Sequence, residues 1–132
     1  MSFLLDTNIC SAHMRRPGGL SHRFIQHMGR LAIPSLVLAE LRAGAYMVGD
    51  PAPLLGRIDD LLGFLDVVDF DAACAEEFGK LRGILARRGT SVAPMDLLIA
   101  SVALAHDLTL VTHNIVHFAP IPDLRLEDWL TP

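Results

Sequence analysis

The chain is constrained most by residues 94–105, a helical run that is apolar on nearly every face. Pro94 suits the first helical position, and Asp96 is the only charged residue of the run. Such a helix is expected to be buried rather than laid on a surface. A buried carboxylate must be paired, hydrogen-bonded or bound to a metal ion, because an isolated buried charge is costly. A second explanation stays open, since a carboxylate in the first turn also complements the helix dipole.

Short apolar runs of strand length alternate with helical patterns along the whole chain. The strand patterns lie at residues 3–5, 31–33, 66–70, 108–111 and 124–126, and the helical patterns at 9–14, 20–28, 34–46, 54–65, 71–88, 94–105 and 115–118. Residues 15–19, which contain a proline and two glycines, are predicted to separate the first two helices. This alternation predicts an α/β fold, a three-layer α/β/α sandwich around a central, mainly parallel sheet of four to five strands.

Composition limits the class of protein. With 132 residues, 52% of them hydrophobic and 20% charged, residues 1–132 are expected to form one compact domain. The net charge of −4 disfavours indiscriminate binding to polyanions, so a nucleic acid would need a local basic surface. Cys10 and Cys74 have no metal or redox spacing and are predicted to be buried, reduced thiols, which suits the cytoplasm. No apolar run is long enough to predict a membrane partner.

Two further acids share the apolar setting of Asp96. Asp6 follows the first strand pattern, at the end where open α/β sheets bind ligands, although a helix N-cap would explain it too. Glu40 lies inside an apolar helix, and Arg42 cannot pair with it because residues two apart on a helix do not face one another. Glu40 is therefore predicted to be a second buried acid. The parallel fold would gather the three acids and residues 112–114 at one sheet edge.

Three carboxylates at one edge would repel one another unless a cation neutralised them. Oxygen ligands without cysteine select a hard ion such as Mg²⁺ or Mn²⁺. An ion of this kind suits phosphodiester hydrolysis, because it lowers the pKa of a bound water and offsets charge on the departing oxygen. Thr112 and Asn114 would donate hydrogen bonds to a phosphate or to waters of the ion. The chain has no glycine-rich phosphate loop and no serine in a nucleophile elbow.

The order and spacing of five segments resemble those of PIN domains, and more narrowly the VapC ribonuclease toxins of type II toxin–antitoxin pairs. These segments are Leu5–Asn8, Pro34–Leu41, Gly89–Asp96, Leu110–Asn114 and Leu126–Trp129. The resemblance implies RNA cleavage that depends on Mg²⁺ or Mn²⁺, a homodimer, and inhibition by a cognate antitoxin protein. A subgroup with similar segments cuts initiator tRNA, which makes tRNA one candidate substrate.

The resemblance also assigns roles to single residues. Asp6, Glu40 and Asp96 match the acidic triad and are predicted to be catalytic and to bind the metal ion. The residues predicted to contact substrate or to support the triad are Thr7, Asn8, Thr112, Asn114 and His117. Many family members carry a fourth acid shortly after the polar pair, where this chain has Asn114 and His117 instead. We therefore expect one tightly held ion, with a second recruited by substrate.

Several alternatives stay open from the residues alone. One alternative to the nuclease is an inactive PIN-like module that binds an antitoxin or another protein. Another is a small phosphatase that acts on free nucleotides. Arg87 and Arg88 either end a helix in solvent, the favoured interpretation, or approach a phosphate backbone. His22 and His27 are predicted to lie on a solvated face.

Overall fold

A computed structural model of the protein describes residues 2–15 and 17–130. Its strands are β1 (Phe3–Leu5), β2 (Leu31–Pro34), β3 (Asp66–Val68), β4 (Thr109–Val111) and β5 (Leu126–Glu127). They form a five-stranded sheet in the order β3-β2-β1-β4-β5, and every neighbouring pair is parallel. The predicted fold class is confirmed.

Seven helices connect or flank the strands of the described chain. They are α1 (Thr7–Arg15), α2 (Pro17–Gln26), α3 (Ser35–Tyr46), α4 (Ala52–Leu62), α5 (Ala72–Arg88), α6 (Pro94–Ala105) and α7 (Ile115–Phe118). Helix α2 begins within the predicted break, because proline is tolerated in a first turn, where its missing N–H is not needed. Most other elements differ from the prediction mainly at their ends.

The core lies on both faces of the sheet. Every residue of β1, β2 and β4 is buried, which requires helices on both sides of a parallel sheet. Helices α1 to α4 pack among themselves, and α5 packs against α6. Helix α6 buries six consecutive or nearly consecutive residues, Leu97 and Ile99–Ala103, as expected for a helix that is apolar all round.

The sheet topology determines where a ligand can bind. From β1 the chain moves through β2 to β3 on one side, and it later adds β4 and β5 on the other. The neighbours β1 and β4 pair with Leu5 opposite Val111. Open α/β sheets bind ligands beyond the carboxyl ends of strands at such a reversal of strand order. Asp6 and Thr112, the next residues of the two strands, therefore lie side by side.

The ends of α5 set the approach to α6. Asp71 is the N-cap, and its side chain accepts a hydrogen bond from the Cys74 backbone N–H at 3.0 Å. Gly89 ends the helix in the left-handed conformation, with φ of 66°. A side-chain-bearing residue would be strained there, so this glycine makes the turn towards Pro94 possible.

One histidine departs from its prediction. His22 is exposed as expected, but His27 is half-buried, and its ring stacks on Trp129 with centroids 5.3 Å apart. Its ring centroid also lies 4.4 Å from that of Phe3. The prediction of a solvated face for His27 is wrong because Trp129, far away in sequence, closes over it.

Two further expectations can be compared with the structure. Cys10 and Cys74 are both buried, free thiols, as predicted. Across the described residues, none of the helices combines the length and the apolar character that a membrane crossing requires.

Candidate active site

Asp6 is the most buried acid of the site, with a relative exposure of 5%. Its backbone N–H continues the sheet by donating to the Val111 carbonyl at 2.9 Å. One carboxylate oxygen accepts the Thr7 N–H, and the other accepts the Thr112 hydroxyl, both at 2.8 Å. Burial raises the pKa of Asp6 and the negative charge of Asp96 adds to that, while these hydrogen bonds lower it. The carboxylate is held firmly, yet its charge is not matched.

Asn8 and Thr112 connect Asp6 to the loop after β4. The Asn8 side chain accepts the His113 N–H at 3.0 Å, and its amide nitrogen lies 3.4 Å from both Asp6 Oδ2 and Thr112 Oγ1. Thr112 is fully buried, and its hydroxyl accepts the Asn114 N–H at 3.0 Å. The loop and Asp6 therefore form one hydrogen-bonded unit, in which Thr112 is the central member.

Glu40 reaches the site from α3, but it is exposed, so the prediction of a buried acid is wrong. The helix buries only the stripe of Val37, Leu41 and Ala45, and Glu40 lies beside that stripe. Its carboxylate accepts a hydrogen bond from the Thr7 hydroxyl at 2.5 Å. This contact joins α3 to the segment that follows β1.

Asp96 lies in the first turn of α6, with 23% of its side chain exposed. Burial raises the pKa of its carboxyl group, a positive charge on His117 would lower it, and the charge of Glu40 raises it. The Nδ1 atom of His117 lies 3.9 Å from Asp96 Oδ2. Because Asp96 interacts electrostatically with both Asp6 and Glu40, the three acids predicted from the sequence occupy one region.

The remaining predicted residues lie on the rim. Asn114 and His117 are both exposed; Asn114 precedes the single turn of α7, and His117 lies within it. Asn114 uses its backbone rather than its side chain to contact Thr112. Its amide is thus not committed to capping α7.

The chemistry of this donor set fits a hard divalent cation. Asp6 and Asp96 each experience another carboxylate that makes ionisation less favourable, and a cation would remove that repulsion. The donors are carboxylate oxygens, with neutral hydroxyl and amide groups around them. Oxygen-only sites of this kind suit Mg²⁺ or Mn²⁺.

A second cluster of potential metal ligands lies elsewhere and has different chemistry. In the described part of the chain, Asp71, Cys74 and His106 bring one donor atom each within 4.8 Å of one another. Asp71 is already used there, because it caps α5 and lies 3.2 Å from His106 Nε2. This cluster contains none of the predicted site residues.

Sequence patterns did not indicate how β5 supports the site. The Glu127 carbonyl accepts the Thr112 backbone N–H at 2.9 Å, and Asp128 lies 3.0 Å from His113 Nδ1. Glu127 and Asp128 lie beside the site because β5 pairs with β4, and such pairing joins segments that are not adjacent in sequence. Only the resemblance of residues 126–129 to a family segment drew attention to them.

A cavity next to the acids was not predicted either. It has a volume of about 400 Å³, and both Thr7 and Glu40 line it. Its other walls combine apolar side chains of α1, α3 and α4 with two arginines, Arg15 and Arg57. An acid-bearing site thus continues into a mainly apolar cavity that has positive charge at its edge.

Comparison with known proteins identifies the family. Residues 3–119 match the PIN domain. The tRNA(fMet)-specific endonuclease VapC of Shigella flexneri is 38% identical over 130 residues, which cover 98% of each chain. Ribonuclease VapC2 of Rickettsia felis is 37% identical over 132 residues, again covering 98% of each.

Solved structures agree with these relatives. VapBC2 of Rickettsia felis, bound to a DNA fragment from its promoter, contains a chain with a TM-score of 0.92 and 37% identity, and the match covers 98% of this chain and 99% of that one. DNA-bound VapBC of Salmonella typhimurium gives a TM-score of 0.92 and 37% identity over 98% of each chain. With its fold, its gathered acids and these relatives in agreement, the chain belongs to the PIN-domain family and, within it, to the VapC ribonucleases.

Proposed function

We propose that this ribonuclease is the toxin of a toxin–antitoxin pair and hydrolyses RNA phosphodiesters with a divalent ion, Mg²⁺ or Mn²⁺, held by Asp6, Glu40 and Asp96. The observation that carries the proposal is that Asp6, Glu40 and Asp96 come together at the carboxyl edge of the sheet, where burial raises the pKa of Asp6 and of Asp96 and the charges of Asp96 and Glu40, respectively, add to that rise. Acids of this kind are costly to keep and are typical of functional sites.

Each residue would have a separate task in the reaction. The bound ion would supply an activated water and stabilise charge on the departing oxygen. Asp6, fixed by Thr7 and Thr112, would provide the rigid ligand, while Glu40 and Asp96 complete the set. Asn8 would hold the loop after β4 in place, so that Asn114 can donate to a phosphate oxygen. His117 would lie at the rim, next to Asp96 and the substrate.

RNA is the proposed substrate, with tRNA as the candidate class, because the relative from Shigella flexneri carries that activity in its name. The chain has a net charge of −4, so the contact with RNA would depend on local arginines. Arg15 and Arg57, beside the cavity that Glu40 lines, are suitably placed for phosphates flanking the cleaved bond.

The partners proposed are a cognate antitoxin and a second copy of the chain. The apolar cavity between α1, α3 and α4 supports an antitoxin segment that covers Glu40 and blocks the site. Tyr46 and Met47, which are 67% and 84% exposed at the carboxyl end of α3, support a homodimer contact. The free thiols of Cys10 and Cys74 favour action in the reducing cytoplasm.

An RNA cleavage assay with Mg²⁺ or Mn²⁺ tests the proposal, using the wild type, Asp96→Asn and the control Asp50→Asn. Asp50 is an exposed acid outside the site. We expect cleavage by the wild type and the control, and none by Asp96→Asn or in EDTA. Equal activity of all three proteins, or indifference to EDTA, would refute the proposal.

Calorimetry with Mn²⁺ separates the proposal from an inactive binding module. If the protein is the proposed nuclease, the wild type, in which Asp6 and Asp96 are intact, must bind Mn²⁺. A wild type that binds no divalent ion and cuts no RNA, yet still captures an antitoxin, would be such a module. Turnover of a simple phosphomonoester without RNA cleavage would instead indicate a phosphatase.

A further inference from the structure

His117 brings an imidazole to the rim of a ligand set that otherwise offers only oxygen. Its Nδ1 atom lies 3.9 Å from Asp96 Oδ2, and its side chain is 63% exposed. It belongs to α7, which directly follows the loop fixed by Asn8 and Thr112. The ring is therefore presented beside the acids by a segment that is itself fixed to Asp6.

Within residues 2–15 and 17–130, Asp96 is the acid that the ring of His117 approaches within 4.0 Å. The nearby His113 differs, because its Nδ1 lies 3.0 Å from Asp128 Oδ2. His113 is thus occupied in supporting β5, whereas His117 is available to a ligand at the site.

The separation of the two atoms fits a shared ion. Each bond from a small divalent ion to its ligand is about 2.1 Å long, so two ligands of one ion lie at most about 4.2 Å apart. The 3.9 Å between His117 Nδ1 and Asp96 Oδ2 is below this limit, and neighbouring ligands of an octahedral ion lie about 3.0 Å apart, so the two atoms need to approach by about 1 Å to share an ion. Since the ring is exposed, small rotations about its side-chain bonds can adjust the distance further.

We propose that His117 Nδ1 is a ligand of the divalent ion, together with Asp6, Glu40 and Asp96, and that it makes the site prefer Mn²⁺ over Mg²⁺. The inference rests on the proposed function, since it concerns the same ion. Mg²⁺ takes oxygen ligands, whereas transition ions also accept imidazole nitrogen. A neutral imidazole also adds no negative charge, so a site with His117 attracts a hard ion less strongly than a site with a fourth carboxylate in its place would.

Calorimetry with Mn²⁺ and with Mg²⁺ tests this preference in the wild type, His117→Ala, His117→Glu and the control His22→Ala. His22 is an exposed histidine of α2, remote in sequence from the acids, and it reports adventitious binding by surface imidazole. We expect His117→Ala to weaken Mn²⁺ binding about tenfold and Mg²⁺ binding far less. His117→Glu should lower the ratio of Mn²⁺ to Mg²⁺ affinity about tenfold, and His22→Ala should change neither.

Electron spin-echo spectra of the Mn²⁺-loaded protein give a measurement that is independent of activity. Nitrogen hyperfine coupling from a directly bound imidazole is expected in the wild type and in His22→Ala, and it should be lost in His117→Ala. A Mn²⁺-bound wild type without this coupling, or unchanged Mn²⁺ affinity in His117→Ala, would overturn the inference and leave the nuclease proposal intact. A wild type that binds neither ion would refute both.

Discussion

The two ends of helix α6 carry titratable clusters of opposite electrostatic character. At its start, burial and the charge of Glu40 raise the pKa of Asp96. Just beyond its other end, His106 lies 3.2 Å from Asp71, whose pKa is lowered, chiefly by the hydrogen bond from the Cys74 N–H. In the first cluster burial and a neighbouring carboxylate make ionisation of Asp96 less favourable, and in the second the carboxylate of Asp71 has two partners.

The two clusters are therefore expected to affect folding stability in opposite directions. A carboxylate whose pKa is lowered by folding stabilises the folded state, while one whose pKa is raised destabilises it when ionised. The Asp71 cluster therefore helps to hold α5 against α6. The Asp6 and Asp96 cluster costs stability, which a protein retains where activity requires it.

Replacing Asp6 by Asn should have the largest effect on cleavage. Changes to residues that merely support metal ligands cost about 10- to 100-fold, so losing a ligand should reduce RNA cleavage by about 100-fold or more. The variant should nevertheless unfold at a temperature no lower than that of the wild type at pH 7. The raised pKa of Asp6 makes its ionised form destabilising, and stability falls as pH rises from the ordinary pKa to the raised one.

The two quantities are measured by an RNA cleavage assay and by thermal unfolding. Asp71→Asn is the matched control, because it removes a carboxylate from the other cluster. If Asp6→Asn instead lowered Tm strongly and Asp71→Asn abolished cleavage, the assignment of the two clusters would be reversed.

Mn²⁺ should stabilise the wild type against denaturant. An ion present at 100 times its Kd stabilises the folded state by about 2.7 kcal/mol when it binds only that state. Urea unfolding with and without Mn²⁺ should show this gain for the wild type and for Asp71→Asn, but not for Asp96→Asn. An equal gain in Asp96→Asn would place the ion outside the proposed site.

Thr112→Val tests how Asp6 is positioned. The substitution keeps the shape of the side chain but removes the hydroxyl that donates to Asp6 and accepts from Asn114. We expect cleavage to fall about tenfold, the lower end of the range for residues that support metal ligands. Thr112→Ser, which retains the hydroxyl, should recover most of the activity in the same assay. Similar losses in both variants would indicate a packing defect.

Asp71→Asn should have the smallest effect, and only on stability. We expect Tm to fall by about one or two degrees at pH 7, because asparagine still caps α5 but lacks the negative charge that attracts His106 and complements the helix dipole. Since folding lowers the pKa of Asp71, its stabilising effect is present above the ordinary value of 3.8 and is lost as pH falls through the folded value. Thermal unfolding as a function of pH should therefore bring variant and wild type together in acid. Asp69→Asn, a nearby exposed acid, serves as control.

The central fold and two of the acids could be predicted because the rules behind them are local or topological. Apolar runs of strand length gave β1 and β4, and parallel strands deliver the residues after them to one edge. That argument placed Asp6 beside Thr112 without any distance information. The helical pattern that begins at Pro94 likewise placed Asp96 in the first turn of α6.

The exposure of Glu40 and the Asp71 cluster could not be predicted, because they depend on how elements pack. Helix α3 is apolar around much of its circumference, so its sequence does not tell which stripe faces the core. Asp71 meets His106 only because α5 lies against α6. The burial of His27 could not be predicted for the same reason, since its neighbour Trp129 comes from another part of the chain.

The hydrogen bond from the Thr112 N–H to the Glu127 carbonyl has a consequence for biosynthesis. Asp6 is translated before β5, which follows the other four strands of the sheet in chain order. A nascent chain that has not reached Leu126 therefore lacks the strand that fixes Thr112. Genes with stop codons before Leu126 should yield products without ribonuclease activity, so an unfinished toxin would be harmless to the cell that is making it.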